Sequence, residues 1–130
     1  RAPKSLCIRK AVIPLTVAQL IDRLDLGVFH LADPDAAVLG GYCGDLLSWV
    51  MGRAVEGEAW LTIMSNINVA AVASLAGAPC VILTEGVPPD PPLLARAREQ
   101  GVTLLGTGLS TYRCAAALSN ALSQPPEGRI

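Results

Sequence analysis

Between Thr16 and Leu122 the chain switches repeatedly between two apolar spacings, and the switching predicts the fold. Val17, Leu20, Ile21 and Leu24 recur at steps of three and four, the period of one helix face. Thr16 stands ahead of them with Gln19 three residues on, a capping-box spacing in which each side chain serves a free backbone amide of the other. This helix is expected to end near Asp25. An extended segment fits Gly27 to Leu31, and Asp33, Pro34 and Asp35 form a turn cluster. Ala37 to Tyr42 reads as a further extended run meeting Gly40 and Gly41, where the missing Cβ lets another group approach the backbone. A helix from about Gly44 to Ala54 should follow, with Leu46, Leu47, Val50 and Met51 as its stripe. Asp45 and Ser48 lie early enough in it to cap it or to hold a ligand.

From there the alternation becomes regular. Strands are expected at Ala59 to Met64, Pro79 to Leu83 and Val102 to Leu105, and helices at Asn68 to Ala76, Asp90 to Gln100 and Ser110 to Leu122. Short links between alternating strands and helices are the mark of crossover units and a mostly parallel sheet. Asp90 followed by Pro91 and Pro92 suits a helix start, with the aspartate as cap, and Gly101 suits a helix stop. The chain divides into an extension over residues 1–14, one α/β domain over 15–123 and a tail over 124–130, the first and last expected to be loosely held.

Composition narrows this picture. The chain is 52% hydrophobic and 16% charged, which suits a central sheet covered by helices on both faces. Ten basic residues against eleven acidic ones leave no electrostatic footprint for nucleic acid, and no basic amphipathic stretch faces a membrane. The apolar runs at Val69 to Leu75 and Val81 to Leu83 are too short to span a bilayer. Cys7, Cys43, Cys80 and Cys114 form no CxxC pair, and His30 has no cysteine near it in sequence, so no metal site is expected. Packed free thiols point to a reducing compartment, the cytoplasm. The basic start, Arg1 to Lys10, lacks the long apolar stretch and small-residue cleavage site of a signal peptide.

In a parallel sheet, ligands gather beyond the carboxyl ends of the strands. The residues expected there are polar: Gly40, Gly41 and Tyr42 with Asp45 close behind, then Ser65, Asn66 and Asn68, then Thr84 with Glu85 and Gly86, then Thr107 before Ser110. Each set precedes a helix amino terminus, where free amides favour an anion or a phosphate. The same residues serve equally as caps and turns. No GxxxxGK[ST], GxGxxG or GxSxG motif is present, and His30 sits in a short apolar strand, so no catalytic residue is assigned. Asp45 and Glu85 form a carboxylate pair only if the fold joins them, and a small enzyme using Asp45 or Glu85 is the third alternative, behind a ligand-sensing module and a scaffold. Trp60 is expected in the core, whereas Trp49, with apolar neighbours on both sides, belongs either to the core or to a subunit interface.

The run Gly40-Gly41-Tyr42-Cys43-Gly44-Asp45-Leu46-Leu47-Ser48 resembles the DRTGG domain family. The likeness continues through Ala59 to Asn66, Asn68 to Leu75, Val81 to Leu83 with Glu85 and Gly86, and Pro88 to Pro91, and spans about Thr16 to Leu122. Where the family name spells Asp-Arg-Thr ahead of the glycines, this chain carries Ala37, Val38 and Leu39. The form is similar to short stand-alone members that resemble the amino-terminal domain of HPr kinase and are often encoded beside iron-only hydrogenase genes. The resemblance implies a three-layer α/β/α sandwich and a regulatory, ligand-sensing, dimerising module without kinase chemistry. It implies no cofactor, but an adenine nucleotide or other anionic small molecule as a ligand, with a redox-linked protein partner or a pure scaffold role as alternatives. The expected ligand contacts are Gly40, Gly41, Tyr42, Asp45, Ser65, Asn66, Asn68, Thr84 and Thr107.

Overall fold

A computed structural model describes residues 12–123; the bulk of the expected extension and the whole tail lie outside them. Within that range Ile13 already donates its amide to the Leu122 carbonyl at 2.8 Å, so the domain is tied down one residue before Pro14. The elements in chain order are β1 (Leu15–Thr16), α1 (Val17–Leu24), β2 (Gly27–His30), β3 (Ala37–Val38), β4 (Gly40–Cys43), α2 (Leu47–Arg53), β5 (Glu58–Thr62), α3 (Asn68–Ala76), β6 (Val81–Leu83), α4 (Pro91–Gln100), β7 (Leu104–Gly106) and α5 (Thr111–Ser123). The capping box at Thr16 and Gln19 is formed, with both reciprocal hydrogen bonds in place.

Five strands make the main sheet in the order β2-β7-β6-β5-β4. β4 to β7 are parallel, and β2 joins the far edge antiparallel to β7. Strands β4, β5, β6 and β7 step one way across the sheet, so crossovers of a single hand carry α2, α3 and α4 to one face. The period-two alternation of the strands then splits the core in two. Trp60, Val81, Leu83 and Leu104 pack with Val50, Val69, Ala73, Leu93 and Ala97 from those three helices. Ala59, Leu61, Cys80, Ile82 and Leu105 point the other way and pack with Val17 and Leu20 of α1 and with Cys114 and Leu118 of α5. The result is the three-layer α/β/α sandwich with a mostly parallel central sheet.

Three local expectations are corrected. The run Ala37 to Tyr42 is not one strand: β3 leaves the main sheet to pair antiparallel with β1, which buries Val38 opposite Leu15, and the chain enters the main sheet only after the exposed Leu39. The helix expected from Gly44 starts at Leu47, and its amino end carries no side-chain cap. The reason is that β5 holds the preceding residues: the Trp60 indole N–H donates to the Gly44 carbonyl at 2.8 Å, and Asp45 is engaged with Thr62 and Ile63. Of the two places open to Trp49 the core is excluded, since Trp49 and Met51 are half exposed while Val50 is fully buried. Trp60 is core, 1% exposed.

Gly41 is placed by packing. A Cβ there would stand 2.5 Å from Leu118 Cδ2, so the absent side chain is what lets α5 lie down on the edge of the sheet. At Gly40 the same atom would meet only the Glu58 side chain, at an ordinary 3.6 Å. Gly41→Ala is therefore expected to cost about 1–3 kcal/mol in urea denaturation by forcing Leu118 or α5 outward. Gly40→Ala is expected to be neutral or to gain about 0.4–1 kcal/mol through the unfolded chain. Equal effects at the two positions would contradict this packing account.

Candidate functional site

All four parallel strands end on one edge of the sheet, so the topology does collect the polar strand ends that the sequence singled out. What they do there is bond to each other. Asp45, following β4, accepts from the Thr62 hydroxyl at 2.8 Å and from the Ile63 amide at 3.0 Å, both at the end of β5. Ser65, beyond β5, donates its hydroxyl to Asp90 at 3.1 Å, and the Asp90 amide returns a bond to the Ser65 carbonyl at 3.0 Å. Asp90 thus ties two loops together, and its side chain does not cap α4 as expected. Glu85, beyond β6, accepts the Thr111 amide at the amino end of α5 at 3.1 Å, where the helix dipole favours a negative charge. One carboxylate spans each neighbouring pair of loops. Asp45 and Glu85 therefore serve different loop pairs, and no bond joins them among the described residues.

The individual site expectations separate accordingly. Gly40, Gly41 and Tyr42 do not leave a strand; they are β4 itself, and Tyr42 packs half-buried on the α2–α4 face. Asn66 takes the Asn68 amide through its side-chain oxygen at 2.9 Å and so closes the start of α3. Thr84 is fully buried and shares a 2.6 Å hydrogen bond with the Thr111 hydroxyl, which leaves it no surface for a ligand. Asp45, Ser65, Asn66, Asn68 and Thr107 keep partial or full exposure at the edge.

The edge also has a reversal. The connection after β6 runs to α4 on one face, whereas the connection after β7 runs to α5 on the other. Divergence of two adjacent loops to opposite faces opens a crevice at the strand ends. Thr84, Glu85, Gly86 and Val87 form a tight turn closed by the Val87 amide on the Thr84 carbonyl at 3.1 Å. Both central residues have positive φ, 61° at Glu85 and 74° at Gly86, the type I′ geometry that glycine accepts freely and glutamate does not. The Glu85 amide bonds the Leu109 carbonyl and its carboxylate bonds Thr111, and these contacts hold it there.

Beside this turn lies a hollow of about 340 Å³, lined among others by Asp25, Phe29, Gly86, Thr107 and Gly108. Phe29 is the extra residue of a bulge in β2, between the pairs Val28 with Leu105 and His30 with Leu104. A bulge re-aims its side chain, and here the ring lies over Gly106, 2.6 Å from where a Cβ would stand. Neither Asp25 nor Phe29 was singled out by sequence. A second hollow, about 400 Å³ and mainly apolar, lies away from the strand ends, between β4 and α5, where Gly40, Gly41 and Cys43 face Leu118 and Leu122.

No three His, Cys, Asp or Glu side chains converge to hold a metal among the described residues. Cys43, Cys80 and Cys114 are free thiols, and Cys7 lies outside the described residues. Burial pushes Cys80 up to about 12, helped by the neighbouring Cys114, and pushes Cys114 up to about 11, helped by Cys43. Cys43 is also raised, by burial and then by the Asp45 charge. A raised thiol is held protonated and is a weak nucleophile.

The family model for the DRTGG domain matches residues 50–121, more than half of the chain. The chain belongs to the DRTGG domain family. The matched segment starts within α2 and takes in the ends of β5, β6 and β7 and their ties, while the Gly-Gly-Tyr strand precedes it. No curated protein matches the chain. Among solved structures, the domain is similar to the CBS and DRTGG domains of the regulatory region of Clostridium perfringens pyrophosphatase, complexed with the activator diadenosine tetraphosphate. The TM-score is 0.69 at 12% identity, over 88% of this chain and 52% of that one. The DRTGG chain described here thus spans about half the length of that neighbour, and at this identity the likeness is one of fold. No helix among the described residues is long and apolar enough to cross a membrane.

The thiols make the domain sensitive to alkali. The native state holds Cys80 and Cys114 protonated up to about 12 and 11, whereas an unhindered thiol ionises near 9.0. Their contribution is complete below that value and is lost as pH rises toward 11–12, because only the unfolded chain gains charge in between. Urea midpoints are expected to fall between pH 8 and 10.5, and less steeply in Cys80→Ala. Parallel slopes in the two proteins would contradict the burial of this thiol.

Proposed function

We propose that this DRTGG domain is a non-catalytic regulatory module that senses a small molecule at the carboxyl edge of its sheet and acts as a homodimer. The observation that carries the reading is the shared edge: four parallel strands end together, and carboxylate ties hold their loops in fixed positions. Such an edge is preorganised, so little ordering cost opposes a ligand. Membership of the DRTGG family supports a regulatory role. So does the fold neighbour, a regulatory region with a nucleotide activator bound, which makes adenine nucleotides the first ligands to try. Asp45, Ser65, Asn66, Asn68 and Thr107 are the expected residues still open to a ligand.

The dimer rests on a different face. Leu46 and Trp49, three residues apart at the start of one short helix, are each more than half exposed, with the Arg53 guanidinium stacked 3.9 Å from the Trp49 ring centre. Apolar side chains grouped this way on a small domain mark an interaction surface. Two buried free thiols fit a reducing compartment such as the cytoplasm, and a link to iron-only hydrogenase or redox metabolism is the output this reading proposes. An interaction-only role is the second reading, favoured by the internal bonding of the strand-end side chains.

A thermal-shift screen with nucleosides, nucleotides and inorganic anions separates the two readings. A ligand at about a hundred times its Kd adds about 2.7 kcal/mol to native stability and raises the midpoint by roughly 5–10 °C. No shift with any compound would favour the interaction-only reading. Light scattering is expected to give twice the chain mass, falling to the monomer in Trp49→Glu; monomer mass in the parent chain at all concentrations would remove the dimer.

A further inference from the structure

The hollow at the loop reversal has a chemistry of its own, distinct from the anion site that helix amino termini suggest. Its floor is an aromatic ring: Phe29, displaced by the bulge in β2, is 36% exposed where it lies over Gly106. Its walls are short. A Cβ at Gly86 or Gly108 would meet nothing within 4 Å, so open space stands beside the backbone on both sides. At the rim is Asp25, in the left-handed region at φ 53° where it ends α1, exposed and without an ion pair among the described residues. The Gly108 amide makes no backbone hydrogen bond among those residues and is available as a donor.

Among the described residues no lysine, arginine or histidine lines the hollow. A phosphate entering it would meet the Asp25 carboxylate with no cation to offset the repulsion. The amino end of α5, which an anion would otherwise seek, is already occupied by the Glu85 carboxylate. A planar ring with N–H donors fits each feature in turn: its face on Phe29, its donors toward Asp25 and its acceptor toward the Gly108 amide. The volume lies at the bottom of the range of about 300–1,000 Å³ typical of ligand sites, which suits one ring system with a sugar.

We propose that this crevice binds a neutral or cationic planar nitrogen heterocycle, of nucleobase or nucleoside size, stacked on Phe29 with its N–H groups turned to Asp25. The proposal rests on the reading of the domain as a ligand sensor and fixes where and what it senses.

Calorimetric titration of the full chain with adenosine, cytidine and AMP, with amide chemical shifts recorded in parallel, tests it. Binding of a nucleoside is expected to move the amides of Gly86, Gly106, Thr107 and Gly108. AMP is expected to bind more weakly than adenosine. Phe29→Leu keeps an apolar side chain over Gly106 but removes the stack, and is expected to weaken binding about tenfold or more. Asp25→Asn retains a residue type that tolerates the left-handed backbone, and is expected to weaken adenosine and abolish its advantage over AMP. Leu75→Ala, on the exposed side of α3 and away from the strand ends, is expected to change nothing. Nucleoside binding that moves amides near Asn66 and Asn68 or along Gly41, with Gly106 to Gly108 still, would overturn the crevice and leave the sensor reading standing. The absence of binding by both nucleosides to the folded chain would overturn the crevice, and a thermal shift with some other compound would then still support a sensor.

Discussion

The Glu85 carboxylate on the Thr111 amide is the contact on which the edge of this domain depends. It joins the loop that leads to α4 on one face to the helix that returns on the other, at the point among the described residues where consecutive parallel strands send their connections to opposite sides. The geometry that permits it is costly. A non-glycine residue in the left-handed region costs about 1–2 kcal/mol, and Glu85 sits there at φ 61°. A charge-assisted bond at a helix amino end and a backbone bond to Leu109 offset that cost. The turn they hold open forms one wall of the crevice, so strain, helix capping and the hollow share a single arrangement.

The other two carboxylates extend the same device along the edge. Asp45 joins the first loop to the second and Asp90 joins the second to the third. Loops that carry ligands are ordinarily the least stable part of a domain. Here each is fixed to its neighbour by a side-chain bond. The row begins beside the exposed Trp49 and ends at the hollow floored by Phe29. A ligand at one end and a partner at the other would be coupled through bonds that either could strengthen or break, which is the kind of two-site linkage a regulatory domain requires.

Much of the fold was legible because it rests on periodicity. The Thr16 capping box, the helices over Asn68–Ala76 and Pro91–Gln100 and the parallel strands were all marked by local spacing. What was not legible depends on contacts distant in sequence. Nothing in Ala37 to Tyr42 says that Val38 will seek Leu15 and leave the sheet. The spacing around Gly44 fits an earlier helix start, and contacts to Trp60, Leu61, Thr62 and Ile63, more than a dozen residues away, prevent it. The two glycines looked like a ligand approach, yet the group that approaches Gly41 is Leu118. Phe29 could not be found because a bulge has no local signal: it appears only when β2 is laid against β7. The polar strand ends were identified, but not that their first partners would be each other.

The central claim is that carboxylates tie the loops of the carboxyl edge to one another and leave an open crevice beside Phe29. Residue-resolved amide hydrogen exchange in the free chain reads this directly. Slow exchange is predicted at Ile63, Gly86 and Thr111, although all three lie at the solvent-facing rim, and fast exchange at Gly108. Fast exchange at Ile63 and Thr111 together with protection at Gly108 would contradict the account.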